Sequence, residues 1–305
     1  MKNILSLALL LLLTILLACG ATTFDASAQA LTLWFEKLVP SLFAGMVLIR
    51  ILDEQGILRW LAQIGFGWSE AVFHISPQAF SLVVASFFLG SPAGQILIDE
   101  YAADHRLDPP AARRLALCVC VSTPTFVLIT CGAVLLQSMP MGLALWLAQL
   151  LAVMMLLFFT RGLPVRLKDT PLHPVPSLFE SLRTSVIQSG ISLYFIGAYL
   201  LMALVLIQLA ALIIPARGLL PLQCIGEFSL GVEQVSHLPL PLSQRTLFMG
   251  LILGFASFSV HLQILSLTPH LQLRYRTFFL FRIAQCLLSG MILSLLLILL
   301  CWRTG

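Results

Sequence analysis

The sequence is poor in charge, with only 10% of its 305 residues being Asp, Glu, Lys or Arg. A water-soluble chain of this length could not cover its surface with so few charged groups. Hydrophobic residues supply 59% of the chain and the mean hydropathy is +1.01, so a bilayer is the solvent that suits it. CxxC pairs are absent among the seven cysteines, and no histidines stand at zinc spacing from them, which argues against a disulfide framework or a zinc site. Cys118 and Cys120 lie inside an apolar run and read as small packing residues. Basic residues are scattered and the net charge is only +4, which gives nucleic-acid binding no support. There is no HExxH motif, no GxSxG elbow and no Walker A loop. Ser259 lies near His261 but has no acidic neighbour in sequence to complete a triad. The chain therefore reads as something other than an enzyme, and no cofactor is expected.

What the chain does have is apolar length. Residues 115–136, 141–160, 191–214 and 278–302 are each long enough to cross a bilayer as a helix. Residues 38–52 become long enough if the amphipathic stretch from Leu31 extends them. The apolar run 4–19 follows Lys2 and reads as an uncleaved first helix within segment 1–30. Leu16-Leu17-Ala18-Cys19 also resembles a lipoprotein box, and Ala26-Ser27-Ala28 a signal-peptidase site. Residues 161–176 hold Pro164, Pro171, Pro174 and Pro176 with Arg161, Arg166 and Lys168. Proline at that density cannot continue a helix, and the basic residues place this linker on the cytoplasmic side.

The two sides of the linker echo each other. Phe35-Glu36-Lys37-Leu38-Val39-Pro40-Ser41 and Phe179-Glu180-Ser181-Leu182-Arg183-Thr184-Ser185 share the pattern F-E-x-L-x-x-S. Ser91 with Gln95-Ile96-Leu97 recurs as Ser259 with Gln263-Ile264-Leu265, and Phe80 and Phe248 keep that second spacing. Two matches in the same order predict an internal duplication, with a first repeat over 31–160 and a second over 177–305.

Three stretches read as broken helices. Gly90-Ser91-Pro92-Ala93-Gly94-Gln95 ends one apolar segment and can start another, with Ser91 as the cap and Pro92 as the first helical residue. Ser122-Thr123-Pro124-Thr125 interrupts the next span in the same way, with Thr123 as its cap. In the second half, Ser257 and Ser259 precede His261 and Gln263 inside an apolar stretch. Irregular backbone in a bilayer must be buried in protein or line a wet cavity. A helix N-terminus left at mid-depth offers free N–H groups and partial positive charge, which suits an anion. If the segment around Phe80 dips in and returns, Arg50, Arg59, Arg106, Arg113 and Arg114 share the linker's side, as the positive-inside rule prefers. An inverted second half would put Arg217, Arg245, Arg274 and Arg276 opposite, unless its hairpin crosses fully.

Single residues are harder to assign. His261 within an apolar segment can relay a proton, bind substrate, or be a neutral histidine bonded to a neighbouring helix. Glu227 lies in Gly226-Glu227-Phe228-Ser229 between membrane stretches and can reach a site or face the interface. Arg282, five residues into the last apolar segment and followed by Gln285, fits snorkelling or anion contact. Glu36 and Glu180 read as anchors of interfacial helices.

Gly90-Ser91-Pro92-Ala93-Gly94, Ser122-Thr123-Pro124-Thr125-Phe126, Glu227 with Ser229 and Gly231, and the run from Gly254 through Ser259-Val260-His261-Leu262-Gln263 to Arg282 resemble the YlbJ-like sporulation integral membrane proteins. The resemblance covers roughly residues 31–296. It departs where the family tends to carry asparagines and this chain has Val121, Ser122 and Thr123. It implies a nucleoside-recognition, or gate-domain, fold: an all-α polytopic protein of two inverted repeats with re-entrant hairpins and broken helices, similar to concentrative nucleoside carriers. It also implies a role in endospore formation, with dipicolinate among the solutes. The expected function is transport of a small anionic solute, dipicolinate- or nucleoside-like, across a bacterial cell membrane crossed several times. The expected site comprises Ser91, Pro92, Gly94, Gln95, Ser122, Thr123, Glu227, Ser259, His261 and Gln263. Ser91, Thr123 and Ser259 would cap helix ends, Gln95 and Gln263 would bond the solute, and His261 could couple a proton. The expected partners are the solute, the bilayer and a coupling ion or proton. The alternative is a scaffold in an envelope or spore assembly that transports nothing.

Overall fold

The computed structural model describes residues 2–168 and 176–304, so Pro171 and Pro174 of the linker lie outside the described residues. Helices make up the architecture, and the described residues hold one isolated bridge, Ile75 to Val165, and no strand. Helix α1 (Lys2–Ala18) turns by 89° into α2 (Gly20–Thr32). α2 passes through a π-helical turn (Leu33–Leu38) into α3 (Val39–Glu54), so the apolar stretch read from Leu31 is one long rod starting at Gly20. That rod lies along α10 (Leu178–Ala211). Trp34 fixes the pairing: its indole N–H donates to the Leu193 carbonyl at 3.0 Å, over the space left by Gly197.

Short helices α4 (Ile57–Gly65) and α5 (Trp68–Phe73) follow, then α6 (Pro77–Leu89) and α7 (Ala93–Ala103). Ser76 starts α6, its hydroxyl accepting from the Ala79 N–H with Pro77 in the first turn. Gly90 ends it at φ +68°, a conformation that favours glycine. The chain then reverses. A Cβ on Gly94 would lie 2.8 Å from the Ser86 Cβ, whereas eight residues of straight helix would hold these positions roughly 12 Å apart. α6 and α7 are therefore a hairpin. Both of its outer ends sit at one face, where the Tyr101 hydroxyl donates to Asp53 at 2.7 Å and Arg50 pairs with Glu100 at 3.1 Å.

The same face gathers the visible linker, through Lys168 to Asp108 and Arg166 to Glu70. From it α8 (Pro109–Cys118) runs inward to an unwound stretch at 119–123, and a π-helix (Thr125–Leu135) continues outward. α9 (Met139–Phe159) returns to the linker face. There Arg114, 5% exposed, ties down its end by donating to the carbonyls of Leu157, Leu163 and Phe73 and to the Thr160 hydroxyl.

α10 starts at the linker face, where Gln55 donates to Ser181 at 2.8 Å, and ends at the opposite one. A second hairpin follows there, α11 (Ala216–Gly226) and α12 (Phe228–Ser236). A Cβ on Gly231 would lie 2.7 Å from the Cys224 Cα, so these helices touch backbone to backbone. α13 (Leu242–Phe255) and α14 (Ser257–Leu267) form a kinked span back to the linker face, where a 3-10 turn (Pro269–Leu271) docks on α7 through Asp99. α15 (Tyr275–Thr304) returns alongside α9 and α13. Among the described residues, four helices are long and apolar enough to cross a membrane, or five if the bent N-terminal pair is one span.

Two expectations need correction. The second hairpin is built by α11 and α12, not by the segment around Phe248, which crosses as part of Leu242–Leu267. The match of Ser91 to Ser259 therefore pairs a hairpin turn with a kinked span, and is no repeat register. The full crossing also carries Arg274 round to the crevice lined by Arg113 and Arg114, where the positive-inside rule wants it.

Candidate functional site

The two hairpin tips and the two interrupted spans meet around a chamber. Ser91, Val121, Ser122, Thr123 and Phe126 line it from the first half, and Glu227, Phe228, Ala256, Val260 and Gln263 from the second. Leu38 and Leu42 of the rod and Ile196 and Leu200 of α10 close the sides. Ile196 lies midway along α10, and Ala256 midway along Leu242–Leu267, so the chamber is at mid-depth. Its volume of about 40 Å³ is room for a few water molecules.

A broken helix in a bilayer leaves backbone groups that must find partners inside the protein. Those of the stretch between α8 and the π-helix find them. The Leu117 carbonyl accepts from Arg282, and the Cys120 carbonyl from Arg282 and Gln285. The Val119 carbonyl accepts from the Gln95 amide at 2.9 Å, and the Val121 carbonyl from the Ser91 N–H at 2.8 Å. The Ser122 N–H donates to the Gln149 side-chain oxygen at 3.0 Å. Thr123 caps the π-helix by accepting from the Phe126 N–H at 3.2 Å. Side chains from α7, α9 and α15 thus hold the break open.

Arg282 is 0% exposed, so snorkelling does not describe it; it serves the break. Ser91 and Ser259 are not caps either. The Ser91 hydroxyl donates to Cys120 Sγ, α7 begins at Ala93 with Pro92 preceding it, and Ser259 lies inside α14, whose N-cap is Ala256. Both positions fail as caps because the chain reverses or kinks at neighbouring residues instead.

In the second half the polar side chains form a chain of their own. Glu227, at the tip between α11 and α12, accepts from the Ser229 hydroxyl at 2.7 Å and the Ser229 N–H at 3.2 Å. Ser259 also bonds the carboxylate, and the Gln263 amide donates to Ser259 at 3.2 Å. His261, two residues away, faces elsewhere. Its Nε2 bonds the Phe255 carbonyl at 2.9 Å, and rings of Phe255, Phe258, Phe278, Phe279 and Tyr275 surround it. It staples the kink between α13 and α14, where Ala256 and Ser257 both take positive φ.

Of the ten residues read from the sequence, Ser91, Ser122, Thr123, Glu227 and Gln263 line the chamber. Ser259 stands one hydrogen bond behind, Gln95 braces the break, Pro92 and Gly94 shape the first hairpin, and His261 is in its aromatic ring. Gln149 escaped notice although it is the one amide in Met139–Phe159; a polar side chain in so apolar a helix is a signal by itself. Ser229 gave no such signal.

The chain is similar to the sporulation integral membrane protein YlbJ of Bacillus subtilis (strain 168), with 22% identity over 315 aligned residues that cover 90% of this chain and 77% of that protein. The chain is YlbJ-like. No protein-family model and no solved structure matches it. The likeness and the apolar helices agree that this YlbJ-like chain is a multi-pass integral membrane protein.

Proposed function

We propose that this YlbJ-like protein is a carrier, and not an enzyme, that moves a small anionic solute of the dipicolinate or nucleoside-like class during spore formation. The observation that carries the reading is the mid-depth chamber closed by hairpin tips that enter from opposite faces. We take the halves as inverted repeats: rod α3, hairpin α6–α7, broken span α8 to the π-helix and α9 match α10, hairpin α11–α12, kinked span α13–α14 and α15. On this register Gly90 answers to Gly226 and Thr123 to Ser259, and the order of elements resembles that of concentrative nucleoside carriers. The starts of the π-helix, α12 and α14 gather at the chamber through Thr123, Phe228 and Ala256, and the partial positive charge of helix N-termini favours an anion there. About 40 Å³ is too small for an aromatic dicarboxylate, so one hairpin must swing away to admit it. Movement of either hairpin alone would open the chamber to one face, which is alternating access.

Uptake by purified protein in liposomes, with a thermal-shift panel of dipicolinate, other small dicarboxylates and nucleosides, tests the reading. A transported ligand must raise stability by mass action. Gln263→Ala and Thr123→Val should abolish uptake and the ligand-induced shift, whereas His261→Ala should retain uptake once folded. Absence of any ligand shift and any uptake would leave a non-transporting scaffold as the better account.

A further inference from the structure

Among the described residues, Glu227 is the only carboxylate lining the chamber, and it is 2% exposed. Among the described residues nothing positive meets it. On α11, Arg217 sits in the first turn, far from the tip, and Cys224 is neutral as a thiol. On α12, Glu233 pairs with Lys37 of the π-helical turn at 3.1 Å. On α13, Arg245 donates to the Ser236 carbonyl at the far end of α12. On α14, His261 is held by Phe255 inside its aromatic ring. The π-helix after the break offers only Cys131. On α10, Glu180 and Arg183 lie at the linker-face end, Tyr194 is exposed, and Tyr199 bonds Ser266. Arg282 is committed to the carbonyls of Leu117 and Cys120.

A lone ionised carboxylate is costly in this setting, and three donors offset only part of that cost. Two of those donors are serine hydroxyls, which rotate and can accept as well as donate. An ionised Glu227 is bonded by accepting from Ser229 and Ser259, and a protonated one by donating to either. The two states need no rearrangement of the backbone.

We propose that Glu227 is a proton-binding site opening on the chamber, and that its protonation clears the site for an anion. The proton site stands on the geometry alone; the coupling to solute rests on the carrier reading. An ionised Glu227 would repel the anionic solute the chamber is read to take. Loading a proton first removes that repulsion, so proton and anion enter together. The sequence suggested His261 for this task; it does not line the chamber and is bonded to Phe255, which hands the task to Glu227.

The test uses the full chain in liposomes, a hydrophobic carbodiimide, which modifies protonated carboxyls, and peptide mass spectrometry. Glu227 should be labelled, several-fold faster at pH 6 than at pH 9, while buried Asp99, held by His270 and the Leu271 N–H, stays unlabelled. Glu227→Gln should lose the label. Labelling of the wild-type chain decides the matter even if that variant fails to fold. An unlabelled Glu227, a rate that does not change with pH, or protection by sodium at fixed pH overturns the proposal. For the coupling, dipicolinate binding to the wild type should weaken about tenfold per pH unit once Glu227 is ionised, and E227Q should flatten that dependence. If Glu227 labels as expected but no solute binds, the carrier reading fails and the proton site survives. If solute binds with the same pH dependence in E227Q, the coupling fails and the carrier reading survives.

Discussion

Each hairpin depends on one glycine where its two helices touch, and adding a single methyl group to each tests both. At Gly231 a Cβ would come within 2.7 Å of the Cys224 Cα, a backbone atom that cannot rotate aside. At Gly94 it would meet Ser86 at 2.8 Å from both Cβ and Oγ. Relief requires the paired helices to separate, and overpacking of this kind costs about 1–3 kcal/mol per site. Gly45 of α3 is the control, because a Cβ there meets nothing within 4 Å and alanine in a helix gains up to ~1 kcal/mol over glycine. All three glycines lie in helices, so that gain cancels, and Gly231→Ala and Gly94→Ala should fall below Gly45→Ala by about 1–3 kcal/mol. A fluorescent thiol-reactive dye reads this directly, since Cys118, Cys120 and Cys131 are all 0% exposed and react only when the bundle opens. With about 2–4 °C per kcal/mol, the apparent Tm of each hairpin variant should drop by several degrees. Both hairpin variants melting with Gly45→Ala would mean that the helices do not touch there, and the chamber would lose its two lids.

Arg114→Lys should lower the apparent Tm with a loss of about 2–4 kcal/mol, because an ammonium cannot reach the three carbonyls that the guanidinium fork spans. Thr123→Val should cost about 1 kcal/mol through the lost cap on the Phe126 N–H, measured by the same dye. His261→Ala leaves the Phe255 carbonyl buried without a partner, so about 1–3 kcal/mol of stability should go while any pH dependence of solute binding stays. Lys37→Gln should cost less than ~1 kcal/mol, since its pair with Glu233 is partly exposed and joins flexible side chains.

The sequence exposed the spans well because apolar length is a local property. Residues 141–160 coincide with α9 but for Thr160 just past its end, 278–302 fall inside α15, and the break at Ser122-Thr123-Pro124 is where the helix unwinds. The first hairpin was legible from Gly90 and Pro92, which carry strong backbone preferences. The second was not, because Gly226-Glu227-Phe228 has no proline, and its reversal rests on the small Gly231 packing against Cys224, a contact between helices. The similarity of Ser91-x-x-x-Gln95 to Ser259-x-x-x-Gln263 then misled, because both put a glutamine one turn beyond a serine for unlike reasons. Gln95 reaches the Val119 carbonyl of another segment, while Gln263 bonds Ser259 on its own helix.

A bilayer asks nothing of a straight helix, whose backbone satisfies itself. This chain instead places Gln95, Gln149, Arg282 and Gln285, all 0% exposed, around the carbonyls and amide of one short interruption. Replacing the interruption by continuous helix would take from all four the backbone partners they now have inside an apolar bundle. Gln95 Oε1 and Gln149 Nε2 already lack a bond, so the arrangement is not the cheapest way to fill the interior. Buried polar side chains that serve a break, and that stability alone would replace by leucine, indicate that the break itself is what the sequence maintains. Its exposed product is the row Val121, Ser122 and Thr123, and the chamber is the space that row faces.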